Sequence, residues 1–338
     1  MIPSGELMRL TTRWNRSIIW MIISLSTIVS MFWVDKGWIT LSMALFLLLA
    51  IYLAYIELMV GAIFISPRKS KSSVEGEILD SHHVEFKSLK SHIISSSING
   101  KAAPTVVFIH GWRSTSLSVV GRAEWFIERG WNAVIFELIG HGKSSTIDLW
   151  NAISASEHIE HHMMNLDQFI DLSQSRDVFL YGHSMGGYIA SRISSENSRV
   201  TNQTWTGVIL ESPLMLYSMI FDEIVQALRI PKILRKQLLR RVYREVVRMH
   251  PKIMIDDSLK QFDVPQWGLP LVPTLCLQAS EDNRLGRVHY DALYEHANHS
   301  QTRFHLIDSL PHSGAKRNDE REKLLSEWLN GFDSLLLK

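Results

Sequence analysis

Between residues 18 and 34 the chain carries no charge, and a second uncharged run covers residues 38–56. Asp35, Lys36 and Gly37 separate the two runs, and Glu57 breaks the second before apolar residues resume to Ile65. A helix rises about 1.5 Å per residue and a bilayer core is about 30 Å thick, so about 20 residues span it. The second run meets that length, and the first is at its short end. The link between them is so brief that the helices must run antiparallel. The pattern therefore predicts a transmembrane hairpin, with spans at about 18–34 and 38–60, inside an N-terminal membrane anchor of residues 1–67. A cleaved secretory leader is the weaker reading, because no small-residue cleavage site follows Val34 and a second span comes at once.

Flanking cations set the expected orientation. Arg9, Arg13 and Arg16 precede the first span, and Arg68, Lys69 and Lys71 follow the second, whereas the tip has only Lys36 beside Asp35. Both ends are expected on the cytoplasmic side. The expectation is an integral protein of a bacterial inner membrane with residues 74–338 in the cytoplasm, so Asn-x-Ser/Thr at Asn15, Asn202 and Asn298 reads as chance.

Beyond a Ser/Lys-rich joint the pattern changes to short apolar runs alternating with helical periodicity. Residues 83–89 and 92–98 read as strands, with Asn99-Gly100 as a turn. Residues 105–109, 133–136, 178–181, 208–210 and 274–277 are short runs of the fully buried parallel type, and 304–307 is a weaker sixth. Helices are predicted over 119–128, 156–172, 187–194 and 322–336. Alternating strands and helices imply crossover connections, hence an α/β fold on a mostly parallel sheet. Residues 214–262 break the alternation with helical periodicity alone and read as a helical insertion, or cap.

Composition narrows the function classes. The 338 residues are 46% hydrophobic and 20% charged, which excludes whole-chain disorder. Net charge is +1, so nothing global points to nucleic acid. Cys276 is the single cysteine, which rules out a disulfide framework and any multi-thiolate metal site.

The strand at 178–181 runs into Gly182-His183-Ser184-Met185-Gly186-Gly187, after which a helix is predicted. Gly-x-Ser-x-Gly between strand and helix is the nucleophile-elbow pattern: a tight turn lifts the serine above the sheet edge, and the two glycines keep side chains out of strand and helix. This sequence resembles the elbow of the α/β-hydrolase superfamily, in its lipase, esterase and monoacylglycerol-lipase-like branches, and the resemblance covers roughly residue 84 to the C-terminus. It implies an eight-stranded sheet, a serine nucleophile, and an acid and a histidine later in the chain. His110-Gly111 after the strand at 105–109 resembles the family's oxyanion loop, which implies backbone N–H groups of Trp112 and Met185 as the oxyanion donors. His110, Gly111, Gly182 and Gly186 are the expected supports of elbow and loop. Gly140-His141-Gly142-Lys143-Ser144, preceded by Glu137, resembles a structural loop of the family. A phosphate-binding reading fails because Glu137 stands where that motif needs glycine.

A serine hydroxyl needs a base, and the base an orienter. Asp282, in Ala279-Ser280-Glu281-Asp282 after the strand at 274–277, is the expected acid, with Glu281 and Glu211 as alternatives. His312, between the last strand and the terminal helix, is the expected base. His158, His161 and His162 cluster on a helix face, but His-Glu-x-x-His is absent, so a solvated face is expected rather than a metal site.

In the insertion, Arg229, Lys232, Arg235, Lys236, Arg240, Arg241, Arg244 and Arg248 stand against Glu245, with Leu234, Leu238, Val242 and Val246 on one stripe. This is a basic amphipathic helix. Beside a membrane anchor it suggests contact of Arg229–Arg248 with anionic lipid. The sequence thus reads as a membrane-anchored serine hydrolase acting on carboxylic esters of monoacylglycerol or lysophospholipid type, with no cofactor and no metal. A peptidase, amidase or thioesterase on the same fold, or a non-catalytic membrane scaffold, is the alternative. Acyl-chain length and oligomeric state are left open.

Overall fold

The computed structural model describes residues 13–34, 37–67, 79–97, 99–100, 102–173, 177–251 and 258–332. They fall into two compact units: one takes residues up to Ser66, Asp148–Trp150 and Met219–Leu259, and the other Pro67–Ile147, Asn151–Ser218 and the chain from Lys260 onward. Arg9, Asp35, Lys36, Arg68, Lys69 and Lys71, on which the orientation reading also draws, lie outside the described residues.

In the first unit, helices α1 (Asn15–Met31) and α2 (Gly37–Ile63) pack together. Helix α2 is long and apolar enough to cross a membrane, and α1 is a shorter apolar helix. Large side chains such as Leu25, Leu41, Leu45 and Leu48 are exposed rather than packed. The hydroxyls of Ser24, Thr27 and Ser30 donate to carbonyls four residues back, so these polar groups are satisfied within their own helix. The insertion supplies α6 (Tyr217–Ala227) and α7 (Lys232–Met249), of which α7 packs on α2 and buries Leu238, Val242 and Val246.

The second unit is built on one eight-stranded sheet in the order β1-β2-β4-β3-β5-β6-β7-β8. Its strands are β1 (Asp80–Phe86), β2 (Leu89–Ser96), β3 (Thr105–Ile109), β4 (Asn132–Phe136), β5 (Val178–His183), β6 (Gly207–Glu211), β7 (Thr274–Ala279) and β8 (Thr302–Ile307). The β1–β2 and β2–β4 pairs are antiparallel and the rest parallel. Every residue of β3 to β7 is buried, which is why these strands read as unbroken apolar runs. Helices α3 (Val120–Ile127), α4 (Ala152–Met163), α5 (Met185–Ile193), α8 (Val288–His296) and α9 (Asp319–Leu329) complete the unit. Sequence periodicity did not reveal α8.

The first hairpin departs from expectation. Its turn is at Lys87 and Ser88, both with positive φ (51° and 61°), inside the stretch that reads as the first strand, so both strands begin three residues earlier than the pattern predicts. Neither residue is a usual occupant of that backbone region, so the sequence carries no warning. The turn expected at Asn99-Gly100 after the second strand is present, with Gly100 at φ 82° and its N–H donating to the Ser97 carbonyl.

The histidine cluster is also corrected. His158 and His162 of α4 are buried, not solvated: His162 Nε2 lies 2.8 Å from Ser91 Oγ, and His161 stacks on Phe86 with ring centres 3.7 Å apart. Among the described residues no His/Cys/Asp/Glu group is arranged to hold a metal.

Burial drives the pKa of His158, His162, His183 and His289 down to about 4 and of His141 to about 3. These groups stay neutral in the fold, while the unfolded chain protonates them near pH 6.5. Stability is therefore expected to fall as pH drops from 6.5 toward 4, since the unfolded state binds more protons in that window. At pH 5.5 each site costs about 1 kcal/mol and the five together on the order of 5. Thermal unfolding at pH 7.5 and 5.5 checks this, and equal midpoints would show that these rings are hydrated.

Candidate active site

Strand β5 ends at His183, and Ser184 turns the chain into α5 with φ 55° and ψ −117°. That region strains any side chain, and the surroundings hold it there. Ser184 N–H donates to the Glu211 carbonyl at 3.0 Å, while its own carbonyl accepts from Gly187 and Leu214 at 2.9 and 3.0 Å. Gly186 lies so close to the Ile109 and His110 carbonyls that a β-carbon there would overlap backbone. A β-carbon on Gly111 would sit 3.1 Å from Ser184 Cβ. The His110–Trp112 loop thus abuts the serine. His110 fixes that loop: Nε2 accepts from Leu138 N–H at 3.1 Å, and Nδ1 lies 2.8 Å from the Gly111 carbonyl.

Parallel register brings the ends of β3, β5, β6, β7 and β8 to one sheet edge, where open α/β sheets carry their sites. His312, beyond β8, places Nε2 3.2 Å from Ser184 Oγ. Its Nδ1 is 2.7 Å from Asp282 Oδ2. Asp282 is buried and Glu281 exposed, so between these neighbours the structure puts Asp282 on the histidine. Burial pushes the Asp282 carboxyl up, but the His312 bond and the N–H groups of Leu285 and Arg284, both at 2.9 Å, hold it well below the usual carboxylate range. It is an anion facing an imidazole, the polarity a proton-accepting histidine needs.

Glu211, the other candidate acid, is committed elsewhere. Its carboxylate takes two guanidinium N–H bonds from Arg122 and one from the Tyr181 hydroxyl, with Arg321 at 3.5 Å. All four side chains are buried. Despite the burial, which opposes ionisation, the two arginines keep Glu211 far below the usual range. Glu137 is likewise structural, binding His92 at 2.7 Å, the Ser116 hydroxyl at 2.7 Å and Lys143 N–H at 2.8 Å.

Two supports escape sequence reasoning. Gln278 Nε2 donates to Asp282 Oδ2 at 3.0 Å, the same oxygen that faces His312. His183 Nε2 donates to the His312 carbonyl at 2.6 Å, linking the elbow to the histidine loop. Its partner lies 129 positions away, so no local pattern could supply it.

Residues 100–261 match the family model described as serine aminopeptidase, S33. A phospholipase, YtpA, of Bacillus subtilis (strain 168) is 34% identical over 116 residues, which is 32% of this chain and 40% of that protein. The chain thus spans about two fifths of the length of this curated relative. The Pyrococcus furiosus esterase Pf2001 superimposes with TM-score 0.58 at 16% identity, covering 79% of this chain and 97% of that one. A second crystal form of it gives 0.56 with the same identity and coverage. At that identity the likeness speaks for the fold.

Proposed function

We propose that this enzyme, a serine hydrolase that belongs to the α/β-hydrolase superfamily, cleaves carboxylic esters through an acyl-enzyme on Ser184. The observation that carries the reading is the chain of contacts from Ser184 Oγ through the His312 ring to Asp282, at 3.2 and 2.7 Å. His312 takes the hydroxyl proton as Ser184 attacks the carbonyl, then returns it to the leaving alcohol. Water repeats the cycle on the acyl-enzyme. Asp282 holds the ring and offsets its transient charge. The backbone N–H groups of Met185 and Trp112 are assigned to the oxyanion, because Met185 follows the serine and the Gly111 backbone lies against it. One such donor is worth about 10²–10³ in rate.

The residue roles make a ranked test. Asp282→Asn is expected to lower turnover of a short-chain ester by about 10⁴, and Glu281→Gln to leave it within twofold. The reverse ranking would move the acid by one position.

The substrate is assigned to lipid esters of monoacylglycerol or lysophospholipid type. Support comes from the apolar hairpin and from the phospholipase relative. A panel of lipid esters, thioesters and peptides on the full-length protein decides among these, and exclusive peptide cleavage would overturn the reading. Residues 1–67 are assigned as a two-span membrane anchor, and residues 74–338 as the hydrolase domain carrying the insertion at 214–262. Arg13 before α1 and Arg16 in its first turn favour a cytoplasmic catalytic domain, in an inner membrane of bacterial type. A reporter active only outside the cytoplasm, fused after Lys338, is expected to stay silent, and a strong signal would invert the topology.

A further inference from the structure

The insertion helix α7 is tied to α2 through charge. Arg241 Nε and Nη2 donate to the two oxygens of Glu57 at 2.6 and 2.8 Å, and its Nη1 donates to Glu245 at 2.8 Å. Arg248 also pairs with Glu245, and Arg16 of α1 lies 3.6 Å from it. Glu57, Arg241 and Glu245 have side-chain exposures of only 14%, 13% and 6%. Glu57 is the first charge after the uncharged run 38–56. The clamp therefore sits at the end of the segment assigned to the bilayer, and it holds α7 at that level.

What α7 leaves outward is a different set of cations. Lys232, Lys236, Arg240 and Arg244 are exposed and recur every four residues. Each step of four turns about 40°, so the row fills an arc of about 120°. Exposed apolar side chains share the arc: Ile233 is 80% exposed and Val247 40%. Glu245 is the one acid in α7, and it is consumed by the clamp. A row of long cations with apolar side chains between them suits a surface that is anionic outside and apolar just beneath.

We propose that the Glu57–Arg241 clamp presents the row Lys232, Lys236, Arg240 and Arg244 to anionic phospholipid headgroups of the bilayer that holds α1 and α2. This rests on the membrane-anchor reading. It adds that the insertion is an interfacial element, held from within by Glu57 and from outside by lipid charge. Anionic leaflets attract such residues individually, and salt weakens the attraction.

The test uses the full-length protein in nanodiscs of phosphatidylcholine alone, or mixed with phosphatidylglycerol, with brominated acyl chains as quenchers. A fluorophore goes on Gln237→Cys, an exposed position of α7, while the native Cys276 is buried. Quenching is expected to rise at least about twofold with phosphatidylglycerol at low salt. It should return to the phosphatidylcholine level at high salt, and in the variant Lys232→Gln/Lys236→Gln/Arg240→Gln/Arg244→Gln. Glu57→Gln is expected to reduce it by releasing the clamp, with Glu57→Asp restoring part. Equal quenching in both lipids, or a rise indifferent to salt and to the four substitutions, would overturn the proposal. Two controls separate this from the readings beneath it. Failure to enter nanodiscs would fault the anchor, and absence of short-chain ester turnover in the unmodified protein would fault the hydrolase assignment.

Discussion

Ser184→Ala is expected to reduce ester turnover to background, a loss of about 10⁶ in kcat, while the unfolding midpoint moves by no more than about 2 °C. The two halves have separate causes. Oγ is the proposed attacking atom, and its one described side-chain contact is the His312 ring at 3.2 Å. Folding depends instead on the serine's backbone, whose N–H and carbonyl are bonded to Glu211, Gly187 and Leu214. Alanine keeps that backbone and carries the same strain at φ 55°. Turnover of a short-chain ester, labelling by a fluorophosphonate probe and a thermal melt check all three points. Activity that survives in the variant would mean another nucleophile, and a collapse of the melt would mean that the hydroxyl is structural.

The other large effect is one of stability. Arg122→Met is expected to destabilise the fold by about 3–5 kcal/mol, lowering the unfolding midpoint by roughly 10 °C. The substitution removes two charge-assisted bonds from Glu211. It leaves a buried carboxylate with Tyr181 and with Arg321 at 3.5 Å. The double variant Arg122→Met/Glu211→Gln is expected to recover much of the loss, because the uncompensated charge goes with it. A single variant that melts like the parent would show that water reaches this site. Ser184 N–H hangs on the Glu211 carbonyl, so turnover is expected to fall in step with unfolding rather than ahead of it.

Sequence carried the sheet well and the side-chain partners poorly, for one physical reason. A strand covered on both faces must be apolar throughout, so Thr105–Ile109 and its neighbours announce themselves within five residues. The cluster of Ser184, Asp282 and His312 was legible because each follows a strand, and parallel strands end at one edge. Side-chain bonds obey no such local grammar. Glu211 stood as a rival acid until Arg122, 89 positions earlier, was seen to hold it. The α4 histidines read as a wet face because Phe86 and Ser91, which cover them, belong to strands far back in the chain. The eight basic residues from Arg229 to Arg248 looked equivalent. Glu57, from the opposite end of the sequence, divides them by taking Arg241.

The contact of Gly186 with the Ile109 carbonyl, and of Gly111 with Ser184, has a consequence for how such an enzyme diversifies. Serine, loop and helix start are wedged together as one block, so none of Gly111, Gly182 and Gly186 can take a side chain without displacing the serine or the backbone beside it. Reactivity and substrate range are thereby separated in sequence space. Random mutagenesis of Gly111, Gly182 and Gly186 should return dead or parental variants. Altered acyl preference should come only from segments that touch this block without being wedged in it.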